Sequence, residues 1–163
     1  MARPIVLEDL ASRLPAKGRL IGIDMGTKTI GLAISDVERR IASPLRTIQR
    51  GSFQKDADAL VSIFAEFEVA GVILGLPLDL EGRMGPRAQS ARAFARNLST
   101  RTDLAIAYWD ERFSTAAVTR SLIINDVSRA RRAEVVDRMA AAYILQGALD
   151  RLAGLAQNRD DVW

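Results

Sequence analysis

The chain has 163 residues, enough for one domain with a sizeable core, and it carries neither histidine nor cysteine. Those two zeros exclude a disulfide scaffold, a Cys/His zinc site, a thiol nucleophile and a Ser-His-Asp triad, leaving carboxylates, hydroxyls, Lys, Arg or an oxygen-held hard metal for any chemistry. Net charge is only +3, from 23 basic and 20 acidic residues, yet residues 83–138 hold 11 Arg against 6 acids.

Residues 1–17 read as an N-terminal extension, with a short helix-like LEDLASRL between Pro4 and Pro15. Leu20 to Asp24 reads as a buried strand that stops at the turn Asp24-Met25-Gly26-Thr27. Ile30 to Ser35 is close enough to pair with it as a hairpin. Ile41 to Gln49 makes a third strand, and Pro44 assigns it to an edge. Ser52 caps a helix to about Glu68 whose apolar stripe is Leu60, Ile63, Phe64 and Phe67. The apolar run Ala70 to Gly75 is a central strand, followed by an acidic, glycine-bearing loop. Pro86 opens a helix to about Leu98, with Arg92 and Arg96 one turn apart.

Leu104 to Trp109 is the last strand. A short helix from Ser114 or Thr115 to Ile124 follows, then a loop over 125–129. A long helix spans about Arg132 to Leu152, and the tail 154–163 is expected to fray. The β-β-β-α-β-α-β-α order predicts an α/β domain over 18–153, with a five-stranded mixed sheet flanked by helices on both faces. No apolar run approaches the ~20 residues of a membrane span and no leader pattern opens the chain, so a cytoplasmic protein is expected.

Asp24 stands at a strand end and shares a face with Gly22; an Asp-x-Gly turn accounts for it equally well. Asp110 and Glu111 follow the last strand, where α/β sheets build sites, although a solvated loop also suits them. Asp137 lies three and four residues before Ala140 and Ala141. It therefore extends the inward stripe of the long helix, where a carboxylate needs an Arg partner or a cation. Arg129, Arg131 and Arg132 are the nearby arginines. If strand ends and helix converge, these carboxylates suit Mg²⁺ or Mn²⁺ and hydrolysis of a phosphodiester. The Arg-rich segment would hold the polyanion, with Arg83, Arg87, Arg92, Arg96, Arg129, Arg131, Arg132 and Arg138 as candidates.

The opening Arg19 to Lys28 with Ile30-Gly31 resembles that of the YqgF/RuvX family. Similar too are Gly75-Leu76-Pro77, Asp110 to Thr115, the basic run Ser128 to Arg132, and Val136-Asp137 leading to Ala140-Ala141 and Ile144-Leu145-Gln146. The resemblance covers Gly18 to Asp150 in the family's order. It implies an RNase H-like fold and a metal-dependent nuclease with Asp24, Glu111 and Asp137 as catalytic metal ligands, Asp110 assisting. Lys28 and Arg112 join the arginines as nucleic-acid contacts. The implied roles are maturation of the 5′ end of pre-16S rRNA, or resolution of four-way DNA junctions. A non-catalytic RNA-binding ribosome factor is the third reading. Junction resolution would need a homodimer; the sequence marks no dimer interface, and a monomer or a homodimer is expected. The chain departs from the family pattern at Thr29, where an Arg usually follows the Lys, and at Gly75-Leu76-Pro77, where related nucleases carry an acid. Glu111 would substitute there, with Asp79 as another candidate.

Overall fold

Strand β2 (Arg19–Met25) owes its central place to its composition: all of its residues but Arg19 are buried, on both faces. Ile21 and Ile23 pack into one apolar cluster and Leu20 into another on the opposite face. The computed structural model describes residues 3–113 and 129–160, with side chains at 113, 129–136, 159 and 160 outside the description. The other strands are β1 (Ile5–Val6), β3 (Thr29–Ser35), β4 (Ala42–Gln49), β5 (Val69–Leu76) and β6 (Ile106–Asp110). The helices are α1 (Leu7–Ala11), α2 (Phe53–Glu66), α3 (Pro86–Leu98) and α4 (Arg129–Asp160). The expected helix from 114 or 115 to 124, and the loop after it, lie outside the described residues.

The strands form one mixed sheet in the order β1-β6-β5-β2-β3-β4. β1, β6, β5 and β2 run parallel, while β3 and β4 complete an antiparallel meander. The sheet thus has six strands, not five. Ile5 and Val6 pair with Ala107 and Tyr108, and two residues are too few for alternation to show in a sequence. Behind them Leu7 and Leu10 of α1 are buried, so the N-terminal stretch contributes to the core. β4 is the far edge, and its Pro44 removes a donor where the ladder shifts register.

Each face is covered by helices. α2 and α3 bury Leu60, Ile63, Phe64, Phe94 and Leu98 against Ile21, Ile23, Val72, Leu74 and Ile106. Ser52 caps α2, its hydroxyl accepting from the Lys55 N–H at 3.2 Å. On the other face α4 packs Ala141, Ile144, Leu145 and Ala148 against Leu20, Ala33, Ile73 and Ala107. Two glycines let the helix backbone lie directly on the strands. A Cβ at Gly22 would stand 2.9 Å from the Ala141 carbonyl oxygen, and one at Gly31 would strike the main chain of Asp137. α4 starts at Arg129 and continues helical through Asp160, beyond the Gly154 from which the sequence suggests fraying. Among the described residues, no helix is long and apolar enough to cross a membrane.

Candidate functional site

Strand alternation puts Asp24 on the α4 face of the sheet, at the C-terminal end of β2, with 1% of its surface exposed. Its antiparallel neighbour in register is Gly31, the glycine on which the Asp137 main chain rests. The Asp137 carboxylate reaches over the β2–β3 turn. The Thr29 hydroxyl donates to its Oδ2, and a Cβ at Gly26 would come within 2.5 Å of that oxygen. On the neighbouring parallel strand, a Cβ at Gly75 would meet Glu111 Oε1 and the Ile144 side chain at 2.6 Å. Glu111 leaves β6 in a short 3-10 turn, Glu111–Phe113. Asp24, Asp137 and Glu111 therefore stand over the same end of one sheet face. Space for two of them is kept by glycines.

All the donors are carboxylate oxygens, which suits a hard divalent cation. Among the described residues, no three such side chains are close enough to form a ready metal cage. In donor chemistry and in the cradles at Gly26 and Gly75, the three acids fit such an ion. In spacing, they are neighbours rather than a closed ligand set.

The other candidate acids are engaged differently. Asp110 is forked by Arg112, with Nε 3.0 Å from both carboxylate oxygens and Nη2 2.6 Å from Oδ2. That pairing holds the Arg112 guanidinium above its ordinary pKa. Arg112 also donates to the Leu80 carbonyl at 3.4 Å, tying the post-β6 turn to the loop after β5. Asp79 organises that loop, accepting from the Arg83 and Glu81 N–H groups at 2.7 and 3.0 Å and from Arg83 Nε at 3.1 Å.

The candidate arginines divide by partner. Arg92 lies over the Tyr108 ring at 6.0 Å and donates to Met84 Sδ at 3.3 Å. Arg96 is exposed in the last turn of α3, Lys28 is exposed in the β2–β3 turn, and Arg138 is half-buried where α4 crosses the sheet. Arg129, Arg131 and Arg132 begin α4, with side chains outside the described residues. Sequence reasoning missed two residues at this end. Thr29 entered it only as a departure from a motif, and its hydroxyl holds Asp137. Arg50, just past β4, donates from Nη1 to the Gly26 carbonyl at 2.8 Å. Neither role follows from local spacing, since each contact is made between distant segments.

Residues 18–151 match the family model described as "RuvX: Holliday junction resolvase". A relative from Methylocella silvestris, named "Putative pre-16S rRNA nuclease", is 61% identical over 93% of this chain and 94% of its own. A Bradyrhizobium protein of the same name is 59% identical over 97% of this chain and 99% of its own. Among solved structures, RuvC of T. thermophilus in complex with a Holliday junction substrate superposes with a TM-score of 0.55. It is 13% identical, with 83% of this chain and 96% of RuvC covered. The Thermus thermophilus RuvC structure gives a TM-score of 0.53 at 12% identity. At such identities the likeness shows the fold, an RNase H-like α/β architecture.

Proposed function

Because the chain belongs to the RuvX family, whose model spans residues 18–151, we propose that it is a metal-dependent nuclease that matures the 5′ end of pre-16S rRNA. The observation that carries this reading is the gathering of Asp24, Asp137 and Glu111 over one end of the α4 face. A protein that only bound RNA would gain nothing from three carboxylates facing a polyanion. Asp24, Asp137 and Glu111 would hold Mg²⁺ or Mn²⁺, which supplies charge neutralisation at the scissile phosphate and lowers the pKa of water. Asp24 is the buried, fixed donor, and Thr29 keeps the Asp137 carboxylate turned toward the same end. Asp110, neutralised by Arg112, serves as a strut for the Glu111 turn. The exposed arginines of α3, together with Arg129, Arg131 and Arg132, would hold the strand electrostatically.

The family model's description favours a second substrate, the four-way DNA junction. One experiment separates the readings. Purified protein is incubated with Mg²⁺ or Mn²⁺ on a pre-16S 5′ leader and on a synthetic four-way junction, with Asp24→Asn as the control. Site-specific cutting of the leader, lost in Asp24→Asn, is the expected result. Paired cuts in the junction alone would transfer the function to DNA and require a dimer. Tight binding of the leader with no cleavage would make the protein a non-catalytic ribosome factor.

A further inference from the structure

Beside the β2–β3 turn, a cleft of about 190 Å³ opens toward the start of α3. Its walls include Met25, Gly26, Thr27, Arg50, Arg87 and Ser90. That is room for ordered waters or one small polyatomic ion. Among the described residues its charge has one sign: two guanidiniums line it and no carboxylate does.

The two arginines are held in a way that leaves their charge available. Arg50 Nη1 donates to the Gly26 carbonyl at 2.8 Å, and Arg87 Nη2 to the neighbouring Met25 carbonyl at 3.5 Å. A carbonyl orients a guanidinium without neutralising it, and each guanidinium has five N–H donors. Arg46, Arg83, Arg101 and Arg112 all pair with acids, whereas among the described residues Arg50 and Arg87 form no ion pair. Two such cations on one small cleft repel each other until an anion lies between them. Thr27 and Ser90 add hydroxyls to the wall. The first turn of α3, a helix of 13 residues, carries no acidic residue to offset its positive end.

We infer that this cleft is a phosphate subsite, in which Arg50 and Arg87 grip one phosphate group of the nucleic-acid strand. Guanidinium forks match the oxygens of a phosphate. The cleft opens on the α3 side of the sheet end whose α4 face carries the acids, and Gly26, in its wall, is also the glycine over which the Asp137 carboxylate reaches. A strand has a phosphate at every nucleotide, and gripping one of them would fix the position of the next relative to the acids. This rests on the nuclease reading for its ligand, although not for its chemistry.

The test uses the full chain. Inorganic phosphate is titrated while the Nε–Hε signals of all arginines are followed by NMR. Saturable shifts confined to Arg50 and Arg87 are expected, abolished in Arg87→Ala and reduced in Arg50→Lys, which keeps the charge and loses the fork. Binding of a pre-16S 5′ leader is then measured against salt. Arg87→Ala should weaken it about tenfold and lower the salt slope by about one. Arg101→Ala, which removes a charge paired with Asp58 beyond the other end of α3, should change neither. Phosphate shifts spread evenly over the arginines, or an Arg87→Ala protein that binds the leader with the wild-type slope, would overturn the subsite. Confined phosphate shifts in a wild-type protein that ignores RNA and DNA would uphold the subsite and defeat the nuclease reading.

Discussion

Asp137 does two jobs, and each can be tested alone. Its main chain lies on Gly31 and its carboxylate accepts from Thr29. A methyl group at residue 31 has nowhere to go, because the atoms it would meet are backbone. Gly31→Ala should therefore lower stability by about 3 kcal/mol, as overpacking against an immovable neighbour does, and urea unfolding would measure it. Asp137→Asn is the opposite kind of change. The amide oxygen can still accept from Thr29, while the charge facing Asp24 and Glu111 is gone. This variant should melt no lower than wild type and should fail to cleave. If Asp137 were only a structural hydrogen-bond partner, Asp137→Asn would cleave normally and melt lower, and the metal-ligand reading would fail. Thr29→Val keeps the shape and removes the donor. A cost of about 1–2 kcal/mol is expected, with cleavage falling more than substrate affinity, because the misplaced group acts on the reacting phosphate rather than on the bound strand.

At the scale of elements, the site depends on how α4 is seated. Gln146 fastens its middle to the meander: Oε1 accepts from the Ala42 N–H at 2.8 Å, and Nε2 donates to the Arg40 carbonyl at 2.9 Å. Gln146→Leu strips both main-chain groups of their partner and should cost about 1–3 kcal/mol, read as a lower urea midpoint with an unchanged slope. The turns have their own pH signature. Backbone N–H groups of Ile41 and Arg40 hold the Asp36 carboxyl below the usual carboxylate range, and the Arg83 N–H does the same for Asp79. A depressed folded-state pKa adds stability above the unfolded value, about 3.9, and loses it as pH falls through the lower one. Asp36→Asn and Asp79→Asn should each flatten the acid side of the melting profile, while leaving the slope near neutrality alone. What the sequence made legible follows from periodicity. Helix phase turned Asp137 inward, alternation put Asp24 on the Gly22 face, and Pro44 marked an edge. A two-residue strand has no period to read. Thr29 holds a residue 108 positions away, and Arg50 one 24 away; such contacts exist only once the sheet has formed.

For the molecule as a whole, the sheet concentrates negative charge at one end of its α4 face, with guanidiniums at the rim of the same end. On the metal-ligand reading, like charges gathered at one sheet end would oppose one another before a cation binds, which lowers the stability of the metal-free protein. A ligand that binds only the folded state returns stability as RT ln(1 + [L]/Kd), about 2.7 kcal/mol at a hundredfold excess over Kd. For a domain of this size, that corresponds to a rise of roughly 5–10 °C in Tm. Mg²⁺ should raise the Tm of the wild-type protein in this way without substrate. Asp24→Asn and Asp137→Asn should start at or above the wild-type Tm in chelator and gain little from Mg²⁺, since each lacks one of the charges that the ion needs. Glu111→Gln should behave likewise if the turn after β6 supplies the third ligand. Asp110→Asn should instead keep the Mg²⁺ response and lose stability, because it frees Arg112 from its fork. The two patterns cross: charge-removing changes at the three acids separate stability from metal response in one direction, and the change at Asp110 separates them in the other. An equal Mg²⁺ shift in wild type, Asp24→Asn and Asp137→Asn would mean that the ion binds elsewhere on the chain, and that the carboxylate end of the sheet is not its site.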